Sequence, residues 1–231
     1  MSVIEAFGED IWVVEGDQVR LFTIPFETRM TVIRLSDGGL WVHSPVAATA
    51  PRLAAVEALG PVAHVVAPNK FHHLFVGPWL ERFPGARAWA GPGLAKKRTD
   101  LPWTHELDDV PPVDWSAEID QLIFGGTKFI PEAVFYHRRS KSLIVTDIVQ
   151  NHRPEKNSRF WRWVKGLNGI MAPDGGCPRD WRLTVRDRDT ARAARDRMLA
   201  WPFDRVVLSH GRCITEGAHA HIERAFRWLD R

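Results

Sequence analysis

The stretch "PNKFHHLF" places two adjacent histidines, His72 and His73, directly after the apolar run "AHVVA". Such a run, followed by polar residues, predicts a short buried strand that ends just before the histidines. Imidazole nitrogens at a strand end could bind a divalent metal, and a catalytic zinc ion needs about three protein ligands. Adjacent side chains on a strand-to-helix turn do not easily point into one site. We therefore expect at least one of the two histidines to be structural, hydrogen-bonded to backbone or solvent.

The composition predicts a globular protein with a sizeable core. The chain has 231 residues, of which 45% are apolar, enough to fill one large domain or two small ones. Basic residues number 31 against 28 acidic ones, and the two types are interleaved, which is typical of a solvated surface rather than a nucleic-acid site. The one basic run, "KKR" at 96–98, is either an ordinary loop or the rim of a site that meets an anionic substrate.

The number of cysteines and the hydropathy of the chain indicate in which part of the cell the protein is expected. The two cysteines, Cys177 and Cys213, are too few for a disulfide framework and form no CxxC pair. No apolar run approaches the ~20 residues of a membrane span, and the start "MSVIEAFGEDIW" lacks the pattern of a secretion signal. We therefore predict a cytoplasmic protein without membrane association.

The first half of the chain reads as a sheet that leads to the histidines. Residues 10–16, 19–26 and 29–45 each have a strand pattern, and "DGG" within the third predicts a hairpin. A helix is predicted over "TAPRLAAVEALG", with Gly60 as its stop. The short strand "VAHVVA" then returns into "PNKFHH".

The second half repeats this plan. A short helix and the strand "ARAWAG" precede a Pro-rich connection, and three strands follow, the last of which is "SLIVTDIV". Helices are predicted over "NSRFWRWVKGLNGI" and "RDTARAARDRMLAWP", then the strand "FDRVVLSHG" and a final helix. We predict a single domain, 1–231, with a helical, Trp-rich insert around 152–200. Core packing or a lid over the pocket explains its tryptophans, Trp161, Trp163 and Trp181, equally well.

This order resembles the metallo-β-lactamase superfamily, and more narrowly a divergent group within it, DUF4336, whose members have a "PNxFHH"-like stretch. The similarity rests on the histidine turn after a strand, on "LIVTD" and on "VVLSHG" before the last helix, and it spans essentially the whole chain. The resemblance implies an α/β (α+β) fold, the four-layer αβ/βα sandwich. It places a metal site at the edge where strand ends from both halves meet.

The superfamily's HxHxDH signature is not intact in "NKFHHLFVG". With Gly77 as the closing glycine, its four ligand positions are held by Asn69, Phe71, His73 and Leu74. A register shifted by one residue brings His72 onto the second histidine position and restores no other ligand. A further expected histidine falls near "TKFIPEAV", where Phe129 stands instead. The resemblance therefore implies a reduced, single-metal site rather than the usual pair of metals.

Two other segments match the superfamily better. Asp147 in "LIVTD" stands where family members have the carboxylate that bridges their metals, and His210 in "LSHG" stands where they have their last histidine ligand. The structural alternatives are that Asp147 caps the following segment and that His210 is a turn residue. His43 stands where an Asp is common, and we expect it to donate to a carboxylate such as Asp147. Lys70 is either an anion anchor or a solvated lysine.

Three functions are compatible with these residues. The first is a metal-dependent hydrolase of a small acyl substrate (ester, lactone, thioester or amide), with one Zn²⁺ or Fe²⁺ held by His72 or His73, Asp147 and His210. The alternative is a metal-free binding module that keeps the fold, as the residues Asn69, Leu74 and Phe129 suggest. Nucleic-acid processing is the least favoured, since no basic stripe with interleaved aromatics stands out. A homo-oligomer is compatible with any of the three.

Overall fold

The structure is a computed structural model that describes residues 3–21 and 23–230. Thirteen strands form its sheets. They are β1 Glu5–Gly8, β2 Ile11–Glu15, β3 Val19–Leu21, β4 Ile24–Phe26, β5 Arg29–Arg34, β6 Leu40–His43, β7 Val62–Ala67, β8 Arg87–Ala90, β9 His105–Glu106, β10 Ile119–Phe124, β11 Glu132–His137, β12 Ser142–Val145 and β13 Arg205–Leu208. The α-helices are α1 Ala50–Glu57, α2 Val76–Arg82, α3 Leu94–Lys97, α4 Arg159–Asn168, α5 Arg179–Thr184, α6 Arg188–Leu199 and α7 Ala218–Phe226.

Two sheets carry the strands that lead to the site. The larger sheet has the order β1-β2-β5-β6-β7-β8-β9, and the smaller has the order β10-β11-β12-β13. Strands β6 to β9 run parallel to one another, as do β12 and β13. Because parallel strands of one sheet end at the same edge, the residues that follow β6 and β7 are neighbours, and so are those that follow β12 and β13.

The sheets are packed face to face, and helices cover their outer faces. Large side chains such as Trp41, Phe135 and Val207 fill the space between the sheets. Apolar residues of α1, α2 and α3 pack on the outer face of the larger sheet, and those of α5, α6 and α7 on the smaller. These are the four layers of an αβ/βα sandwich, so the predicted fold class is confirmed.

The segment 19–26 differs from its prediction as one strand. Its ends form β3 and β4, which pair with each other as a separate two-stranded ribbon. Pro25 lies within β4 and has no N–H for a central ladder, which agrees with a short ribbon outside the main sheets. Phe22 lies outside the described residues. The hairpin predicted at "DGG" is present between β5 and β6, where Gly38 has a φ of +87°.

The region 152–200 contains α4, α5 and α6, and its three tryptophans have different surroundings. Trp181 is buried and contacts the ring of Phe124 edge to face. Trp161 is half-buried, whereas Trp163 on α4 is exposed. Core packing therefore explains Trp181 but not Trp163. Within the part of the chain that the structure describes, no helix combines the length and apolarity that crossing a bilayer requires.

Candidate metal centre

Three side chains predicted as ligands converge at the edge where the two sheets meet. Asp147 lies two positions beyond the end of β12, His210 two beyond β13, and His72 five beyond β7. One potential ligand atom from each lies within 4.8 Å of those of the other two. The residues are 147 − 72 = 75 and 210 − 147 = 63 positions apart in the sequence, so the sandwich itself brings them together.

The spacing of these atoms suits one metal ion. His210 Nε2 is 3.1 Å from Asp147 Oδ1 and 3.2 Å from His72 Nε2, and His72 Nε2 is 3.4 Å from Asp147 Oδ2. Ligand atoms about 2.1 Å from a tetrahedral zinc ion stand about 3.4 Å from one another. The two imidazole nitrogens are separated by about that distance, and each has a different oxygen of the Asp147 carboxylate at a similar distance, so one ion could be held by both nitrogens and the carboxylate, with a position left for water or substrate.

The tautomer of His210 is fixed by the backbone. Its Nδ1 lies 2.6 Å from the carbonyl oxygen of Glu27, between β4 and β5. A carbonyl can only accept, so Nδ1 carries the hydrogen and the lone pair of neutral His210 is on Nε2, which faces Asp147. In a metal-binding histidine, the ring nitrogen that does not bind the metal usually donates a hydrogen bond to a carbonyl or carboxylate in this way.

His72 is anchored by a hydroxyl. Its Nδ1 lies 2.6 Å from Ser44 Oγ, and Ser44 follows directly after β6 with a φ of +52°. Positive φ is uncommon for a residue other than glycine and recurs at functional sites. When Nδ1 donates to this hydroxyl, the lone pair of His72 is on Nε2, beside the lone pair of His210.

Asn69 connects the histidine turn to Asp147. Its Nδ2 donates to Asp147 Oδ2 at 2.8 Å, and its Oδ1 accepts the backbone N–H groups of Phe71 and His72, at 2.8 and 3.2 Å. The side chain is fully buried. Asn69, at a histidine position of the superfamily signature, thus orients Asp147 and stabilises the turn that carries His72.

Glu132, the first residue of β11, supports Asp147 from behind. Its Oε1 accepts the N–H of Thr146 at 2.6 Å and its Oε2 that of Asp147 at 2.7 Å. Asn69 Nδ2 also donates to Glu132, at 3.2 Å. Burial and the neighbouring Asp147 carboxylate raise the pKa of Glu132. This fully buried carboxylate thus holds the loop after β12 in place.

The charges within the cluster stabilise one another. Burial opposes ionisation of Asp147, but in the absence of metal the positive charge of protonated His72 outweighs it and lowers the pKa of Asp147. Burial alone would lower the pKa of His72, yet the charge of Asp147 raises it. Asp147 is therefore an anion at neutral pH, as a ligand for a divalent metal must be.

Of the two adjacent histidines, the structure brings only His72 into the cluster. His73 is buried on the other side of the turn, with Nδ1 2.7 Å from an Arg98 guanidinium nitrogen. Burial and the charges of Lys97 and Arg98 lower the pKa of His73 to about 4. The expectation that at least one histidine of the pair is structural agrees with these contacts, and His73 is that one.

His43 does not make the predicted contact with Asp147. It is fully buried between the sheets, stacked on Trp41 with ring centroids 5.2 Å apart, and Phe135 meets it edge to face. Neither ring nitrogen has a hydrogen-bond partner among the described residues. Burial, together with the charge of His72, lowers its pKa well below the ordinary value. The prediction failed because His43 is on the core-facing side of β6, and the next residue, Ser44, turns toward the site instead.

The remaining predicted positions lie around the cluster. Phe129 and Leu74 are exposed, and the ring of Phe129 contacts Phe71 with centroids 6.3 Å apart. Lys70 is half-buried, and its carbonyl accepts a hydrogen bond from Lys97. Residues that stand at missing ligand positions thus form an aromatic and basic surface beside the histidine turn.

Sequence reasoning missed Ser44, Glu132 and the carbonyl of Glu27. Ser44 could have been found from its place directly after β6, because residues that follow parallel strands gather at the ligand-binding edge of a sheet. Glu132 has no such signal, since it begins its strand. The Glu27 contact is made by a main-chain oxygen, which any residue type provides.

Known structures share the fold of this chain. The DIM-1 metallo-β-lactamase exposed to ceftazidime is 17% identical, with a TM-score of 0.65 over 97% of this chain and 96% of that one. A metallo-β-lactamase from Erythrobacter litoralis, with β-mercaptoethanol in its active site, is 12% identical, with a TM-score of 0.66 over 98% and 95%. The metal-soaked Flv1 flavodiiron core from Synechocystis is also 12% identical, with a TM-score of 0.66 over 98% of this chain but only 60% of that one. None of the curated proteins compared with the sequence matches it.

Fold and cluster together define a protein of the metallo-β-lactamase fold whose edge site could hold one metal ion. Within that class, the chain belongs to the DUF4336 family, described as a domain of unknown function, whose model matches residues 8–158. The matched residues include the turn with His72 and the loop with Asp147, whereas His210 lies beyond them.

Proposed function

We propose that the protein is a metal-dependent hydrolase of a small acyl substrate that uses one divalent ion. The observation that carries this proposal is the convergence of His72 Nε2, His210 Nε2 and the Asp147 carboxylate at mutual distances of 3.1 to 3.4 Å. Two histidines and one carboxylate with an open position are a ligand set of catalytic zinc and of non-haem iron. Zinc suits hydrolysis because it has no redox chemistry.

A divalent ion bound there would lower the pKa of its water to about 7 and polarise the substrate carbonyl. The chain's own residues prepare that chemistry. Glu27 and Ser44 fix the two imidazoles, and Asn69 holds the Asp147 carboxylate. In the hydrolysis, a bond forms between the oxygen of water and the acyl carbon, the bond to the leaving oxygen, sulfur or nitrogen breaks, and the leaving group takes up a proton.

Metal content of the purified protein tests the proposal. We expect close to one zinc or iron atom per chain by mass spectrometry after purification without chelator or affinity metal. Asp147→Ala and His210→Ala should each abolish bound metal, since two ligands alone do not make a structural or catalytic zinc site. The helix content from circular dichroism should not change. His105→Ala, which removes an exposed histidine outside the cluster, is the matched control and should keep its metal.

A protein without metal, even after zinc and iron are offered, would contradict the hydrolase. The favoured function would then be a binding module, in which a protonated His72 and the Asp147 carboxylate neutralise each other without an ion. If metal is present, turnover of lactones, aryl esters and thioesters by the loaded protein should disappear with chelator and return with zinc.

A further inference from the structure

Two lysines beside the histidine turn have no acidic partner among the described residues. Lys97, the last residue of α3, donates from Nζ to the carbonyl oxygen of Lys70 at 2.7 Å. The same ammonium lies 5.1 Å from the centroid of the Phe71 ring. Arg98 next to it is paired with Asp100. Neither Lys70, two residues before His72, nor Lys97, which contacts the Lys70 carbonyl, forms an ion pair with an acidic side chain among the described residues.

The side chain of Lys70 lies across the backbone of Gly93. A Cβ at Gly93 would stand 2.8 Å from Lys70 Cε and 3.2 Å from its Nζ, and Gly93 has a φ of +71°. The carboxylate of Glu106 accepts the Gly93 N–H at 2.6 Å and forms no ion pair with either lysine among the described contacts. The missing side chain of Gly93 thus leaves room for the end of the Lys70 side chain.

An apolar surface adjoins the two ammonium groups. Phe71 is half-buried and packs against Phe129, whose side chain is 62% exposed. Along the turn, Lys70, Phe71 and His72 are consecutive, so a cation, an aromatic ring and a metal-binding imidazole follow one another directly. The ring of Phe71 and the ammonium of Lys97, 5.1 Å apart, therefore lie on the same turn that carries His72.

We propose that Lys70 and Lys97 form a subsite for an anionic group of the substrate, a carboxylate or a phosphate, with Phe71 and Phe129 against its apolar part. The substrate class is then an anionic acyl compound with an aromatic or aliphatic portion. For the reaction this rests on the proposed hydrolase, but the anion subsite exists whether or not a metal is bound. Charge-assisted hydrogen bonds from two ammonium groups are sufficient to select an anion over a neutral analogue.

The mutual influence of these cations supports the subsite. Burial and the charges of Arg98 and Lys70 lower the pKa of Lys97. Positive charges that disfavour one another in this way are stabilised by an anion placed between them. The subsite also accounts for "KKR": Lys97 donates to the carbonyl of Lys70 and Arg98 contacts His73, whereas Lys96, exposed as Lys97 is, makes no such contact among the described residues.

Calorimetric titration tests the subsite in the full chain, both zinc-loaded and after chelator treatment. The probes are phenyl phosphate, benzoate and the neutral benzyl alcohol. We expect one of the two anions to bind at least tenfold more tightly than the alcohol in both forms. Lys70→Gln and Lys97→Gln should each weaken that anion by about tenfold, the effect of losing one hydrogen bond to a charged group. Lys96→Gln is the matched control and should bind as the wild type does.

The outcomes separate the subsite from the metal chemistry. Preference for phenyl phosphate or for benzoate identifies the anionic group. Equal binding of all three probes, no anion binding at millimolar concentration, or unchanged binding in Lys70→Gln and Lys97→Gln would each overturn the subsite. Because these titrations are also made without metal, a failure of the hydrolase leaves their result intact. The metal content of both lysine variants should equal that of the wild type.

Discussion

His72 and His210 are held by partners of different chemistry, although both use Nδ1. The carbonyl of Glu27 can only accept, so it fixes the tautomer of His210 in every state of the protein. The hydroxyl of Ser44 can donate or accept, so its bond to His72 persists whichever nitrogen of that ring carries the hydrogen. Ser44 is thus a positioning residue, and its removal would change the orientation of His72 without removing a ligand.

Ser44→Ala should weaken zinc binding by about 10- to 100-fold, the usual effect of losing a hydrogen bond that orients a ligand. The ring of His72 would lose the hydrogen bond that fixes its orientation. Competition with a zinc-binding dye measures the affinity. Circular dichroism should show unchanged helix content, because the backbone at φ +52° tolerates alanine no worse than serine.

Ser140→Ala is the control for this substitution. Ser140 makes the same kind of bond, 2.7 Å to Nδ1 of the buried His137, but outside the cluster. It should leave zinc affinity unchanged. Equal zinc affinity in Ser44→Ala and wild type would show that the hydroxyl has no part in orienting His72, and equal losses in both variants would point to a general loss of stability.

Among the elements, the loops after β12 and β13 matter most, because they carry Asp147 and His210. They are joined where Asn151 pairs with Gly211 in a parallel bridge, and the N–H of Asn151 donates to the carbonyl of His210 at 3.0 Å. A Cβ at Gly211 would stand only 1.9 Å from the carbonyl oxygen of Asn151. This close approach of two backbones sets the position of His210 relative to Asp147.

Gly211→Ala should therefore separate the two loops, lower the melting temperature and reduce zinc affinity together. An alanine at position 211 is unfavourable for two reasons, the collision with Asn151 and the φ of +94°. The variant Gly217→Ala measures the effect of a positive φ alone. Gly217 has a φ of +59° with no atom within 4 Å of a Cβ, so its alanine variant should lose at most about 1 kcal/mol and keep its metal. Gly85→Ala, which meets neither obstacle, should resemble the wild type. Full zinc affinity in Gly211→Ala would refute the role of this contact.

The elements also show how far sequence patterns reach. Alternation and turn residues predicted the strands around "DGG" and the strands that carry Asp147 and His210, because those signals are local. These patterns did not predict that β3 and β4 form a separate ribbon, because tertiary packing, and not local sequence, decides which sheet a strand joins. The partners Ser44 and Glu132 escaped notice for the same reason, since hydrogen bonds between loops distant in the sequence leave no periodic signal. Which of His72 and His73 turns inward also depends on Arg98, 25 residues further along the chain.

At the scale of the whole molecule, the buried histidines make stability dependent on pH. His64, His73, His137 and His152 are buried, and burial lowers the pKa of each to about 4. Their ordinary pKa is about 6.5, so between pH 4 and 6.5 the unfolded chain binds more protons than the folded one. Stability must then fall as the pH falls through that window.

Other ionisable groups change the stability at other pH values, or change it in the opposite direction. The raised pKa of His72 gives a contribution that is complete below pH 6.5 and is lost only as the pH rises. Hydrogen bonds from His152 and Arg153 outweigh burial and lower the pKa of Glu27 to about 2, so its contribution is lost below the histidine window. The pKa of Glu132 is raised, so this group binds its proton more readily in the folded chain and opposes the loss of stability in acid. It accounts for one proton, against four for the buried histidines.

We therefore expect the metal-free protein to unfold in acid with a midpoint above pH 4. Each histidine contributes a slope of up to roughly 1.4 kcal/mol per pH unit, so four of them together cost at most about 14 kcal/mol across the window, which is comparable with the whole stability of an ordinary domain, about 5 to 15 kcal/mol. Urea unfolding at pH 7.5, 6.5 and 5.5, with chelator present, measures the slope.

The variant His64→Gln should reduce the slope, because glutamine can still accept the hydrogen bond from Trp89 and takes up no proton. His105→Gln, at an exposed position, should leave it unchanged. Constant stability down to pH 4.5 would mean that water reaches these histidines and that the interior of the sandwich is more open than their burial indicates.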